Sequence, residues 1–153
     1  MYTGGSGIFM AKPQMDKLLT GLAGEFLVAG HLCLRGYVAS LTLKNYPGVD
    51  IFCLNPANGK QVAIQVKTLR GGKSYYVPEK VDEAENPFIF VYIRPDDTVD
   101  FFVVPAKDVA EISARERNEY LEQHPNVRKD QPRMVSVRNL DKFNNRWELL
   151  GLD

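Results

Sequence analysis

Residues 48–68 read G-V-D-I-F-C-L-N-P-A-N-G-K-Q-V-A-I-Q-V-K-T. Two apolar runs, at 49–54 and 61–68, flank a short segment rich in Pro, Asn and Gly. Strand-forming residues on both sides of such a segment are typical of a β-hairpin. With the turn centred on this segment, Asp50 lies opposite Gln65. The pattern therefore predicts two antiparallel strands in one particular register.

Three polar side chains share one face of the predicted hairpin. Side chains alternate across a strand, so Gln65 and Lys67 point to the same face, and the register adds Asp50. The apolar residues between them point to the opposite face. Each polar group is costly to bury alone, so their convergence indicates a functional site. The alternative is an edge hairpin on which Asp50 and Lys67 are solvated or form a weak ion pair.

Charge is balanced over the whole chain but unevenly distributed along it. The 153 residues include 19 Lys and Arg against 19 Asp and Glu, a net charge of zero. By region, basic and acidic residues number eight and three in 1–75, five and twelve in 76–122, and six and four in 123–153. Bulk attraction to nucleic acid or to a membrane is therefore not indicated. The uneven distribution either creates a local positive surface around the hairpin or simply solvates the faces.

The cysteine and histidine residues indicate neither a disulfide framework nor a zinc site. Cys33 and Cys53 lack the spacing of a CxxC pair, and His31 and His124 are far apart. We find neither a signal peptide nor an apolar run of membrane-spanning length. A reducing cytoplasm is the compartment we expect, with no membrane partner.

The remaining periodicities predict the order helix, three strands, linker, two strands, helix and tail. Apolar residues recur at helical spacing from residue 15 to 35. The strands are expected at 37–43, 49–54, 61–68, 88–93 and 99–104, the second helix at 106–122, a short strand at 134–137, and a cap or helix at 140–150. This order predicts an α/β sandwich, a central mixed sheet flanked by helices. Residues 15–153 are expected to form a single domain after a flexible, Gly-rich segment at 1–14.

Two further features accompany the hairpin. Glu25 falls at the margin of the apolar face of the first helix, where a carboxylate is paired, metal-bound or able to reach water. Directly after the hairpin, residues 69–76 read L-R-G-G-K-S-Y-Y. Basic side chains interleaved with aromatics suit contact with phosphates and bases, which indicates Arg70, Lys73 and Tyr75 as nucleic-acid-binding residues. The alternative is an ordinary surface loop.

A helix carrying Glu25, then G-V-D-I, then I-Q-V-K on the next strand resembles the PD-(D/E)XK nuclease superfamily, which has the restriction-endonuclease-like fold. The similarity covers residues 24–68. It implies that Glu25 is the helix acid, Asp50 the metal-ligating aspartate and Lys67 the catalytic lysine. Gln65 stands where the family has its second strand acid, and this Q-x-K form resembles Mrr-type enzymes. The linker 69–87 is too irregular for the crossover helix usual in the family.

The resemblance implies an endonuclease that hydrolyses phosphodiester bonds of nucleic acid, with DNA as the expected substrate. Mg²⁺ or Mn²⁺ would be its cofactor, held by Glu25, Asp50 and the neutral carbonyl oxygen of Gln65. Since Mg²⁺ uses few protein ligands, one metal is expected rather than two. A catalytically inactive nucleic-acid-binding module and a protein-interaction domain are the alternatives. No separate recognition domain is apparent, so a homodimer or a recognition partner protein is also considered.

Overall fold

The computed structural model of the chain describes residues 15–43 and 47–153. The predicted flexible segment at 1–14 and most of the turn before Gly48 lie outside the described residues. Within them, the helices and strands in chain order are α1 (Met15–Leu34), β1 (Val38–Leu41), β2 (Ile51–Leu54), β3 (Gln61–Arg70), β4 (Ser74–Tyr76), β5 (Phe88–Ile93), β6 (Val99–Val104), α2 (Ala106–Gln123) and β7 (Met134–Ser136). Five strands form one mixed sheet in the order β1-β2-β3-β5-β6, and the two short strands β4 and β7 form a second sheet.

The hairpin forms in the predicted register. Strands β2 and β3 pair antiparallel with Ile51 opposite Ile64, so the next position along brings Asp50 opposite Gln65. Ile51 and Ile64 are fully buried in the same apolar cluster, and Val66 follows on the same face. The polar face predicted for the hairpin therefore lies on the other side of the sheet.

Helices cover both faces of the sheet, which confirms the predicted α/β sandwich. On one face, Val28 and Leu32 of α1 are fully buried among residues of β2, β3, β5 and β6. On the other face, Val109 and Ile112 of α2 pack on the phenylalanines of β5 and β6. The polar face of the hairpin thus lies on the same side of the sheet as α2.

Helix α1 is more apolar than the sequence reading allowed. By length and composition, Asp16–Leu34 qualifies as a stretch able to cross a membrane, with a mean hydropathy of 1.3. The expectation that the chain holds no apolar run of that length is therefore wrong. In the structure α1 lies against the sheet, yet its outer surface keeps Leu19, Phe26 and Leu34 more than half exposed. The amphipathic pattern is weak because large apolar residues occupy the outer surface of the helix as well as the buried one.

Gly24 sets how closely α1 approaches the sheet. A Cβ atom built on Gly24 would lie 1.8 Å from Oγ1 of Thr68 on β3. Glycine is therefore required here for a close approach of helix and strand. The Oγ1 atom of Thr68 is buried and has no hydrogen-bond partner among the described residues. The contact fixes the position of Glu25, the next residue along the helix, relative to β3.

Gly24→Ala is expected to lower the free energy of unfolding by roughly 1–3 kcal/mol, because the added methyl group forces helix and strand apart. Gly30→Ala is the matched control, since no atom lies within 4 Å of its added Cβ. That variant should gain about 0.5–1 kcal/mol from the higher helix propensity of alanine. Urea denaturation measures both effects. Adding Thr68→Ala to Gly24→Ala should recover part of the loss, and equal stability of the two alanine variants would disprove the tight contact.

The connection from β3 to β5 replaces a crossover helix with short elements. These strands are parallel, so the chain must cross over between them. Residues 71–87 contain no α-helix, as expected, but strand β4 and a 3₁₀ turn at Val81–Glu83. The guanidinium of Arg133, which is 5% exposed, donates to both carboxylate oxygens of Asp82 in this turn and to Oγ of Ser113 on α2. This arginine ties the crossover to α2.

The tail after β7 caps the core with three 3₁₀ turns rather than one α-helix. Trp147, 7% exposed, stacks on His31 of α1 with ring centroids 5.8 Å apart and also contacts Phe101. The Leu152 carbonyl then accepts hydrogen bonds from the side-chain amides of Asn55 and Asn58. The predicted cap therefore docks on α1 and ends against the turn of the β2–β3 hairpin.

Candidate active site

Asp50 is held by backbone hydrogen bonds on both sides and by its own side chain. Its N–H donates to the carbonyl of Ile64 (2.9 Å), and its carbonyl accepts from the N–H of Thr42 (2.9 Å). Its Oδ2 accepts a hydrogen bond of 2.7 Å from the N–H of Val66. The carboxylate thus acts as a hydrogen-bond acceptor for the backbone of β3 just before β2 begins. Oδ1 has no hydrogen bond within the described part of the chain, so one carboxylate oxygen is left available.

Lys67 lies one residue beyond this ladder contact, on the polar face. Burial is the main cause that lowers the pKa of Lys67, and the negative charge of Asp50 opposes this shift. The ammonium is therefore partly desolvated and close enough to Asp50 to feel its charge. A partly desolvated cation interacts more strongly with an anion than one in bulk water, because the local dielectric constant is lower.

Gln65 and Glu25 complete the predicted site less directly. Gln65 is half-buried opposite Asp50, and its N–H donates to the carbonyl of Pro87 (3.1 Å) at the start of β5. Glu25 is half-buried on α1, directly after the close contact of Gly24 with Thr68. The hairpin therefore brings Asp50, Gln65 and Lys67 together on one face of the sheet. Glu25 lies on helix α1, which packs on the opposite face.

A cavity of about 1060 Å³ opens beside the part of β3 that extends past β2. We call it the cleft. The first turns of α1 form one wall, β4 forms another, and Lys67 lines the floor together with Thr68 and Arg70. Lys67 thus lies close enough to Asp50 to feel its charge and also lines a cavity that is large enough for a ligand. Gln65, Asp50 and Glu25 do not line this cavity, so they stand beside the cleft.

The three residues predicted to bind nucleic acid occupy different environments. Arg70 lines the cleft but forms an exposed ion pair with Asp97 (2.6 Å). Lys73 is exposed in the turn after Gly71 and Gly72, whose φ angles of 66° and 80° suit glycine. These two basic residues are therefore accessible, and their role stays a prediction.

The choice of Tyr75 as a base-contacting residue is wrong. Tyr75 is 3% exposed, and its ring meets the ring of Phe90 edge-on at 4.9 Å. Burial raises the pKa of the Tyr75 phenol, whose oxygen has no partner among the described residues. The residue that sequence reasoning missed is Tyr76, which is 66% exposed and lines the cleft. The predicted loop contains strand β4, whose alternation sends Tyr75 inward and Tyr76 outward.

The donor set beside the cleft fits a lightly ligated cation rather than a dedicated metal cage. Across the described ranges, no group of three His, Cys, Asp or Glu side chains could hold a metal ion. Mg²⁺ commonly uses one or two protein carboxylates and fills its other positions with water and phosphate oxygens. The available oxygen of Asp50 and the amide of Gln65 are compatible with that mode of binding.

Comparison with known proteins supports the fold. No protein-family model matches the chain, and no curated protein matches its sequence significantly. Among solved structures, the chain is similar to Hjc, a Holliday junction resolvase from Archaeoglobus fulgidus, with 15% identity and a TM-score of 0.51 over 86% of this chain and 100% of that chain. It is also similar to I-Ssp6803I, a bacterial homing endonuclease, with 11% identity and a TM-score of 0.55 over 93% and 94%. At these identities the similarity shows the fold alone: the chain shares its architecture, a mixed five-stranded sheet flanked by helices, with these two proteins.

Proposed function

We propose that this chain is a metal-dependent nuclease that hydrolyses phosphodiester bonds of DNA. The observation that carries the proposal is that Lys67, on the same face of the hairpin as Asp50, lines a large cleft. Asp50 is held by the N–H of Val66, and the pKa of Lys67 is lowered by burial. Retaining a partly desolvated lysine beside a carboxylate costs stability, and groups with such shifted pKa values cluster at functional sites.

Each polar residue has a distinct role in the proposed reaction. Asp50 and Gln65 would hold the divalent cation, with Glu25 reaching it directly or through water. When bound there, the cation would supply charge neutralisation on the phosphate and a more acidic water. Lys67 would stabilise the negative charge that develops on the phosphate, because Lys67 lines the cleft in which the substrate would lie. The exposed Arg70 and Lys73 would bind flanking phosphates.

A cleavage screen tests the proposal. Duplex, single-stranded, branched and RNA substrates are incubated with the purified protein and Mg²⁺ or Mn²⁺, with EDTA as the control. Cleavage of at least one DNA substrate that disappears in EDTA is the expected result. Metal-independent cleavage, or an absence of cleavage with all substrates, would contradict the proposal.

Gln65→Glu is expected to make stability depend more strongly on metal. The new carboxylate lies opposite Asp50, so like charges repel each other when no cation is present. The melting temperature should therefore fall in EDTA and recover with millimolar Mn²⁺, because a ligand that binds only the folded state stabilises it. Cleavage by the variant should reach its half-maximal rate at lower metal concentration.

Two pairs of melting curves decide this prediction. Wild type and Gln65→Glu are each melted with EDTA and with Mn²⁺. Gln61→Glu is the matched control, since residue 61 is exposed and pairs with Leu54 at the other end of the hairpin. Its stability should change by about 0.5 kcal/mol or less, independently of metal. If Mn²⁺ shifts Gln65→Glu no more than wild type, Gln65 does not face a cation.

A catalytically inactive nucleic-acid-binding module is the second candidate. It is favoured by the neutral Gln65 and by the lack of a three-acid cluster in the described residues. Salt-dependent DNA binding without cleavage under any metal would identify this function.

A further inference from the structure

Strand β4 separates the cleft from a second cavity of about 440 Å³. Ser74 and Tyr76 line both cavities, so the two spaces meet across this strand. The far side of the second cavity is formed by α2 and by the chain around β7. A ligand that leaves the cleft over Tyr76 therefore enters the second cavity directly.

Two tyrosine rings are accessible along this path. Tyr76 is 66% exposed at the shared wall, and Tyr120 of α2 is 42% exposed in the second cavity. The Tyr120 ring is stacked on His124 with centroids 4.3 Å apart, which holds it in place. Exposed, positioned aromatic rings are the usual platforms for unpaired bases.

Two arginines and two glutamates line the second cavity. Both oxygens of Glu116 accept hydrogen bonds from Ser136 and Asn139, and Arg117 is paired with Glu79. Glu119 lies 3.9 Å from Arg115 on the same helix. Arg138 also lines the cavity and makes no ion pair within residues 15–43 and 47–153. Arg138 is therefore free to bind an anion such as a phosphate.

We propose that the second cavity binds an unpaired strand that continues from the cleft. Tyr76 and Tyr120 stack on its bases, and Arg138 binds its backbone phosphate. A continuous duplex has its bases stacked on each other and leaves none for these rings, so the preferred substrate carries single-stranded DNA next to the cleavage site. This inference rests on the proposed function, because the strand enters the second cavity from the cleft.

Binding in EDTA tests the proposal without any cleavage. Fluorescence anisotropy is measured with a labelled single-stranded DNA, an RNA of the same sequence and the corresponding blunt duplex. Tyr76→Ala should weaken single-strand binding about tenfold or more, as expected for one lost base stack, and change duplex binding less than twofold. Tyr76→Phe, which keeps the ring, should bind like wild type. Phe26→Ala, an exposed aromatic of α1 at 59% exposure, is the matched control and should also bind like wild type.

Further variants separate this inference from the proposed nuclease function. Tyr120→Ala should lower single-strand affinity in the same direction, and Arg138→Ala should flatten the dependence of log affinity on log salt by about 0.7. If all three variants bind single strands like wild type while the protein still cleaves DNA, the second cavity is not a strand site and the nuclease function stands. If the wild type binds no nucleic acid, both proposals fail. Equal losses for duplex and single strand would overturn the preference for unpaired bases, and stronger binding of the RNA would overturn the choice of DNA.

Discussion

Asp50→Asn is expected to abolish metal-dependent cleavage while leaving the fold intact. The Oδ2 atom of Asp50 accepts a 2.7 Å hydrogen bond from the N–H of Val66. The side-chain oxygen of asparagine accepts the same bond, so the end of the hairpin keeps its geometry. The negative charge is lost, however, and a neutral oxygen binds divalent cations more weakly. We expect cleavage to fall by at least about 100-fold and Mn²⁺ affinity by at least about tenfold.

Single-turnover cleavage and calorimetric Mn²⁺ titration measure these two effects, and melting curves check the fold. Asp50→Ala separates charge from structure, because it leaves the N–H of Val66 without its partner. That variant should lose roughly 1–3 kcal/mol of stability in addition to activity. Asp141→Asn, which alters an exposed carboxylate in a 3₁₀ turn, should behave like wild type. Unchanged Mn²⁺ affinity in Asp50→Asn would remove the metal site from the proposed function.

Lys67→Met is expected to slow cleavage strongly and, at the same time, to raise the melting temperature. Burial lowers the pKa of Lys67 more than the charge of Asp50 raises it, so the ammonium is a net cost to folding. Methionine keeps much of the aliphatic stem and removes that cost. Each kcal/mol released corresponds to about 2–4 °C in a chain of this size. Removal of the Lys67 ammonium group from the cleft should reduce the rate of cleavage by roughly 10²–10³-fold.

The dependence of stability on pH distinguishes this cost from simple packing. Between the lowered pKa of folded Lys67 and its usual value of 10.5, the unfolded chain binds more protons than the folded one. The free energy of unfolding of the wild type therefore rises with pH through this window, because the buried ammonium becomes a neutral amine. The difference in stability between Lys67→Met and wild type should narrow accordingly. Lys107→Met changes a lysine side chain that is 87% exposed and should alter neither activity nor this pH profile. A lower melting temperature with retained cleavage would instead make Lys67 a structural ion-pair residue.

The hairpin was predictable because its pattern is local. A period of two, a turn rich in Asn and Gly, and one polar face are all contained within twenty or so residues, and together they place Asp50 opposite Gln65. Strand β4 escaped prediction because it has three residues and pairs with Met134–Ser136, far along the chain. Because these residues were not predicted to form a strand, the alternation that buries Tyr75 and exposes Tyr76 could not be predicted either.

Long-range packing accounts for the other differences. The close approach of Gly24 to Thr68 depends on how a helix sits on a sheet, which periodicity does not specify. The apolar character of α1 was underestimated because its glycines and alanines do not form a conspicuous hydrophobic run. Arg133 contacts Asp82 and Ser113 only after three segments that are distant in sequence have packed together. Its charge alone therefore predicts only a surface residue.

The contact of Leu152 with the hairpin turn has a consequence for the order in which the molecule folds. The Asn55 and Asn58 amides reach a carbonyl that is 97 and 94 positions away in sequence. Such distant partners meet only after much chain entropy has been lost, whereas the hairpin itself closes on the microsecond scale. We therefore expect the hairpin that bears Asp50 and Gln65 to close early and its turn to be fixed late. Substitution of either asparagine should then chiefly speed unfolding and leave the folding rate nearly unchanged.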